Sequence, residues 1–221
     1  MRKISTEDRL LMRQSHIKKI LKVIRTRGFL SLSIQEIAQL MNMSRASLYN
    51  YFSSKEDILM ELNDFCISYI HEAGQMISNT DLAYSQRLQK VYEHAVLSAA
   101  YSSEIFLKDL QISCMSLYEK KKQSRKEQMA AIHTFYQNGM EAGFFNELNP
   151  TLLMMQDETV LNKLINTSFL MDEELTLERA LYDYYLAKCF QVLRSELLPN
   201  LDHDEIRSMV KEIYQKLSPI L

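Results

Sequence analysis

Apolar residues recur at helical spacing along almost the whole chain, and the breaks between periodic stretches are short and polar. Leu10, Leu11, Ile17, Ile20, Leu21 and Ile24 share one face of a helix predicted over 5–27. Gly28 follows where a helix C′ residue turns into the left-handed region, with Phe29 placed to fold back on the last turn. Ser33 begins a second helix, predicted over 34–40. Ser33 and Glu36 have the spacing of a capping box, and Leu32 and Ile37 that of a hydrophobic staple. Met41-Asn42-Met43 reads as a tight turn in which Asn42 is best suited to positive φ. Ser44 caps a third helix over 45–51, and Ser53 or Ser54 a fourth. Leu59, Leu62, Cys66, Tyr69, Ala73 and Met76 carry that fourth helix to residue 78. Further helices are predicted near 81–101, 103–119, 121–142, 151–170, 176–197 and 203–217, punctuated by Gly143-Phe144, Asn149-Pro150 and Pro199-Asn200.

Composition narrows the fold class to all-α. The 221 residues include 4 Gly and 3 Pro, too few for the turns of a β-sandwich or barrel, and they form neither GxGxxG nor GxxxxGK[ST]. Cys66, Cys114 and Cys189 are an odd, widely spaced set with no disulfide framework; they fit a reducing cytoplasm and read as buried small hydrophobes. The N-terminal residues have no apolar h-region, and no apolar run reaches 18 residues, so neither a signal peptide nor a membrane span is expected. His71-Glu72 is not the start of HExxH, because position 75 is Gln, and His16, His94, His133 and His203 are scattered. No nucleophile–base pair and no metal-ligand spacing can be placed, so no enzyme activity, metal or cofactor is expected.

The second and third helices, joined by a short turn, have the form of a helix-turn-helix. Ile37, small Ala38 and Leu48 sit at the crossing. In such a unit the N-terminal part of the second helix faces base edges in the major groove, here Arg45, Ala46 and Ser47, with Tyr49 and Asn50 one turn on. Arg45 can donate two bonds to guanine or pair with phosphate, Asn50 can read adenine or reach backbone, and Ala46 can pack on a thymine methyl. Ser33, Ser44, Ser47, Tyr49, Tyr51 and Lys55 offer hydroxyls or charge to phosphate oxygens. Tyr51 has a second reading, packing against the first helix.

Gly28-Phe29, Ser33-Ile34-x-x-Ile37-Ala38, Met43-Ser44-x-x-Ser47 and above all Leu48-Tyr49-x-Tyr51-Phe52-x-x-Lys55-Glu56 resemble the DNA-binding domain of the TetR/AcrR family of bacterial transcriptional regulators, over about residues 10–62. By position, the resemblance implies DNA contact by Tyr49, phosphate binding by Lys55, a backbone-facing Tyr51 and a base-reaching Gln35. The chain departs from the family at Met41-Asn42, where Ala-Gly is common, and at Arg45-Ala46, so operator preference does not transfer. The resemblance further implies a helical effector-binding and dimerisation domain over 61–221 after a DNA-binding domain over 1–60. It also implies a homodimer on a palindromic operator, release by a small-molecule effector, and a cytoplasmic location. The rival reading is an all-helical ligand-binding or scaffold protein that does not bind DNA.

In the remainder, Tyr101, Phe106, Met115, Tyr118, Phe135, Tyr136 and Met140 are candidate effector contacts, because Met and aromatic surfaces adapt to apolar or amphipathic ligands. At helical spacing the same residues also serve as core. The segments 151–170 and 176–197 are nominated for dimer pairing, with Leu181, Tyr184, Tyr185, Lys188 and Val192 either at the interface or in the chain's own core. Lys120-Lys121-Lys122 with Arg125 and Lys126 reads as a solvated basic face rather than a second nucleic-acid contact.

Charge acquires meaning only when divided. Lys+Arg number 26 and Asp+Glu 28, a net charge of -2. Residues 1–60 hold 11 basic and 5 acidic residues, a net +6, and residues 61–221 hold 15 and 23, a net -8. A basic head suited to phosphate is thus joined to an acidic body.

Overall fold

The computed structural model describes residues 6–221. The reading of Met1–Ser5 as part of a non-signal N-terminus lies outside the described residues. The described residues form eleven α-helices and one 3-10 turn. In order these are α1 (Thr6–Arg27), α2 (Ile34–Leu40), α3 (Arg45–Tyr51), α4 (Lys55–Ile77), α5 (Tyr84–Tyr101), α6 (Glu104–Ser113), α7 (Met115–Glu141), α8 (Pro150–Leu164), α9 (Thr167–Asp172), α10 (Leu177–Val192), the 3-10 turn (Ser195–Asn200) and α11 (His203–Leu217). The expected all-α class holds, and the first four helices fall where their caps place them. No described helix is long and apolar enough to cross a membrane.

Three expected boundaries move. The segments 103–119 and 121–142 are divided at Cys114, not near residue 120, so the lysine run lies inside α7. Lys and Glu are good helix formers, and nothing in 119–122 stops a helix. The segment 151–170 divides at Asn166, whose side chain caps α9 by accepting from Ser168 N–H. The segment 176–197 ends early because Leu193 pairs in extended form with Phe145. Asn146 N–H donates to Val192 O at 2.8 Å and Arg194 N–H to Phe144 O at 3.2 Å. Gly143, at φ 75°, makes the helix stop that leads into this pairing.

The helices belong to two compact units. One comprises the described residues up to Tyr69 with Tyr101–Ser124 and Pro219–Leu221; the other comprises Ile70–Ala100 and Arg125–Ser218. In the first, Ile17, Ile20, Leu21, Phe29, Leu32, Ile37, Leu48, Phe52, Ile58 and Leu62 are buried, and α6 packs on α1. Lys121 also belongs to this interior, with its ammonium 5.7 Å from the centre of the Phe106 ring, so the basic run is not wholly a solvated face.

The second unit is built around Tyr92, whose hydroxyl donates to Leu181 O at 2.7 Å and whose ring lies 4.9 Å from that of Tyr185. A buried ion pair ties α8 to α10: Lys188 Nζ is 2.6 Å from Asp157 Oδ2, and the Tyr184 hydroxyl donates to Asp157 Oδ1 at 3.0 Å. Burial alone would lower the Lys188 pKa, but Tyr136 and Asp157 more than offset it and raise the value. Leu181, Tyr185, Lys188 and Val192 are therefore core of their own chain, which removes them as interface candidates.

Candidate nucleic-acid interface

Short helices need caps to persist, and the head supplies them. Ser33 N–H donates to Glu36 Oε2 at 2.8 Å, and Glu36 N–H to Ser33 Oγ at 3.2 Å. The Ser33 backbone bond, with the Ser33 hydroxyl, holds the Glu36 carboxyl below its usual range. After α2 the chain turns through Asn42 at φ 59°, and Met43 N–H reaches Ala38 O at 2.9 Å. Met41, the departure from the family pattern, is fully buried, and its carbonyl accepts from Lys19 at 3.0 Å. Ser44 Oγ then accepts from Ser47 N–H at 3.0 Å and starts α3.

Ile37, Ala38 and Leu48 are buried where α2 and α3 pack. With Leu48 committed inward, the rest of α3 is left outside. Arg45, Ala46, Tyr49 and Asn50 are exposed and Ser47 is half-buried. Tyr49 is 44% exposed, large for an aromatic ring with no polar task, and the Arg45 guanidinium lies 5.8 Å over it. Ser33, Gln35 and Ser44 are exposed at the starts of α2 and α3. No acidic residue lies on α3 to repel phosphate.

Two predicted phosphate contacts have intramolecular partners. Tyr51 packs edge-on against His16, ring centres 4.9 Å apart, and points its hydroxyl at Met12 Sδ, 3.6 Å away. This is the second of its two sequence readings. Lys55 donates to Leu32 O at 2.6 Å and lies 5.1 Å from the Phe29 ring centre, so it ties the α1–α2 turn to the start of α4. An ammonium has three donors, and these bonds do not use them all.

Sequence reasoning missed Arg13, which clasps three helices. Its Nη2 is 2.7 Å from Asp57 Oδ1, its Nε donates to Glu61 Oε2 at 2.9 Å, and its Nη1 donates to Tyr51 O at 2.8 Å. The Arg13 hydrogen bond is the main cause that keeps the Asp57 carboxyl below its ordinary range. Nothing in the sequence marks a partner 44 residues away. Replacing Arg13 with Ala is expected to destabilise the head by about 2–3 kcal/mol at neutral pH, through lost charged hydrogen bonds and a stranded carboxylate. Because the Asp57 pKa is depressed in the folded state, this stabilisation is present above the unfolded carboxylate pKa and lost as pH falls through the folded one. The gap between Arg13→Ala and wild type in chemical denaturation should accordingly shrink in acid.

The seven candidate effector residues are divided between the two units. Tyr101 and Phe106 are buried in the first unit, which also holds exposed Met115 and half-buried Tyr118. Phe135 and Tyr136 are buried in the second unit, with Met140 half-buried. Only Phe135 lines the groove of about 340 Å3 in that unit.

A capped helix-turn-helix on a larger helical body defines a DNA-binding regulator as the class of protein. Residues 17–62 match the family model of bacterial regulatory proteins, tetR family. Solved structures share the fold. The ketosteroid transcriptional regulator KstR2 of Mycobacterium tuberculosis is 16% identical, with 83% of this chain and 95% of that one covered and a TM-score of 0.60. A transcriptional regulator from Saccharomonospora viridis in complex with choline is 15% identical, with 82% and 97% covered and a TM-score of 0.59. AibR, in complex with isovaleryl coenzyme A and operator DNA, is 19% identical, with 77% and 94% covered and a TM-score of 0.58. No curated protein sequence matches the chain.

Proposed function

We propose that this protein is a cytoplasmic, ligand-responsive transcriptional repressor that binds a palindromic operator as a homodimer and is released by a small-molecule effector. The observation that carries the reading is the division of α3, with Leu48 buried against α2 and Arg45, Ala46, Tyr49 and Asn50 outside. Arg45 and Tyr49 lead the base and backbone contacts, with Ser33, Gln35, Ser44, Ser47, Asn50 and Lys55 around them. The functional division follows residue 60, between DNA-binding and effector-binding segments. A gel-shift on the region upstream of the protein's own gene tests the reading. A discrete shifted band that disappears with Tyr49→Ala supports it, and no shift on any such fragment sinks it.

Release needs a link from the effector-binding segment to the head, and α6 supplies part of one. Asp109 accepts from the N–H groups of Phe29 and Leu30, the latter at 3.1 Å, so α6 holds the turn that ends α1. Gly28 makes the approach possible. It sits at φ 79°, and a Cβ there would lie 2.6 Å from Asp109 Oδ2. In this reading the effector shifts α6 and α6 carries the head, altering the separation of the two recognition helices. Helices at the wrong separation cannot both enter successive major grooves. Asp109→Ala should leave operator affinity within about threefold while the Phe29 and Leu30 amides lose protection from hydrogen exchange. Unchanged protection would remove Asp109 from the link.

A further inference from the structure

Arg87 lines the groove of the second unit, and its surroundings use only part of its chemistry. It is 7% exposed. Its Nε donates to Ile77 O, the last residue of α4, at 2.7 Å. Its guanidinium lies beside an aromatic pair, 5.2 Å from the centre of Tyr84 and 4.9 Å from that of Phe135, the two rings being 5.9 Å from each other. Among the described residues no carboxylate pairs with it, and neither terminal nitrogen has a hydrogen-bond acceptor. Those nitrogens are not among the fully enclosed polar atoms, and Arg87 is one of the residues that line the groove.

A buried guanidinium without a counter-ion is costly, and a fork anchored through Nε and packed beside an aromatic pair keeps its two terminal nitrogens for a carboxylate, which accepts two parallel bonds. Arg87 is also in the first turn of α5, where the helix dipole favours an acid over a base. The bond to Ile77 O accounts for Nε alone. Around the fork the walls are mixed: Ile77, Ala131 and Phe135 are apolar, while Thr134 and Asn138 add polar groups, and no acidic residue lines the space. At about 340 Å3 the groove lies at the small end of ligand sites.

We propose that this groove binds a small amphipathic carboxylic acid, with the carboxylate on the two terminal nitrogens of Arg87 and the apolar body along Ala131 and Phe135. Its regulatory consequence rests on the effector reading above; the binding itself does not.

Calorimetric titration of the full-length protein with hexanoate, hexanol and inorganic phosphate tests the assignment. Hexanoate should bind saturably and hexanol should not. Arg87→Gln should weaken hexanoate about ten- to hundredfold, the loss expected for charged hydrogen bonds. Arg87→Lys should recover only part of that, since it keeps the charge without the fork. Arg87→Gln also removes a bond to α4, so a second variant is needed. Ala131→Leu fills the groove, leaves the Arg87 bonds in place and should block hexanoate. Hexanoate that fails to bind, or binds both variants as it binds wild type, overturns the proposal. Phosphate that binds as tightly and displaces hexanoate overturns the amphipathic-acid assignment. Hexanoate binding without any effect on operator affinity leaves the groove assigned and counts against the effector reading. Release by another compound, with no hexanoate binding, does the reverse.

Discussion

Met155→Glu combined with Phe190→Glu is expected to convert the proposed dimer into a monomer and to weaken operator binding by about 100- to 10,000-fold, the advantage that linking two weak sites confers. The expectation follows from what α8 and α10 leave outside. Leu152 and Met155 on α8 are 56% and 57% exposed, and Phe190 on α10 is 60% exposed. The two helices pack on each other, so these side chains decorate one helical pair. A contiguous apolar patch marks an association surface, and we propose that these three side chains belong to one. Leu181, Tyr185, Lys188 and Val192 on the same helix are already buried, and acidic substitutions there would damage the fold rather than the assembly. Two carboxylates in an apolar interface would be desolvated without partners. Light scattering after size-exclusion chromatography reads the mass and anisotropy the affinity. A double variant that stays dimeric would place the interface elsewhere.

The second large effect belongs to α3. Arg45→Ala with Tyr49→Ala should reduce operator affinity at least about 100-fold, because each recognition contact contributes roughly 1–3 kcal/mol and a dimer makes it twice. Thermal stability should hardly change, since both side chains are exposed. Leu48→Ala, one residue from Tyr49, should do the opposite. Leu48 is buried at the crossing, and a core truncation of this kind costs about 2–5 kcal/mol. Stable protein that no longer binds separates recognition from folding.

Local chemistry made the head legible. Gly28, Ser33, Asn42 and Ser44 each impose a conformation on their own neighbourhood, and the structure has Gly28 and Asn42 at positive φ and the two serines as caps. The body was less legible because its boundaries are set at long range. Leu193 becomes extended because Phe145 lies opposite it, and Cys114 breaks the helix with no turn residue to announce it. Buried charged residues gave no sign of themselves for a related reason. Arg13, Arg87, Lys121 and Lys188 have the types of solvated side chains, yet partners distant in sequence draw each inward. Tyr51 and Lys55 carry a hydroxyl and a charge suited to phosphate, and their partners on α1 and in the α1–α2 turn depend on how those elements pack.

The division of charge, +6 over residues 1–60 and -8 over the rest, sets the most direct test of DNA binding by this head. Fluorescence anisotropy of the labelled upstream fragment, measured across a salt series for wild type and for Arg45→Ala/Tyr49→Ala, combines both parts of the claim. Tight binding by wild type is predicted, with log affinity falling linearly in log salt at about 0.9 for each phosphate neutralised, and with affinity lost in the variant. Binding that ignores salt, or that the double variant retains in full, would contradict it.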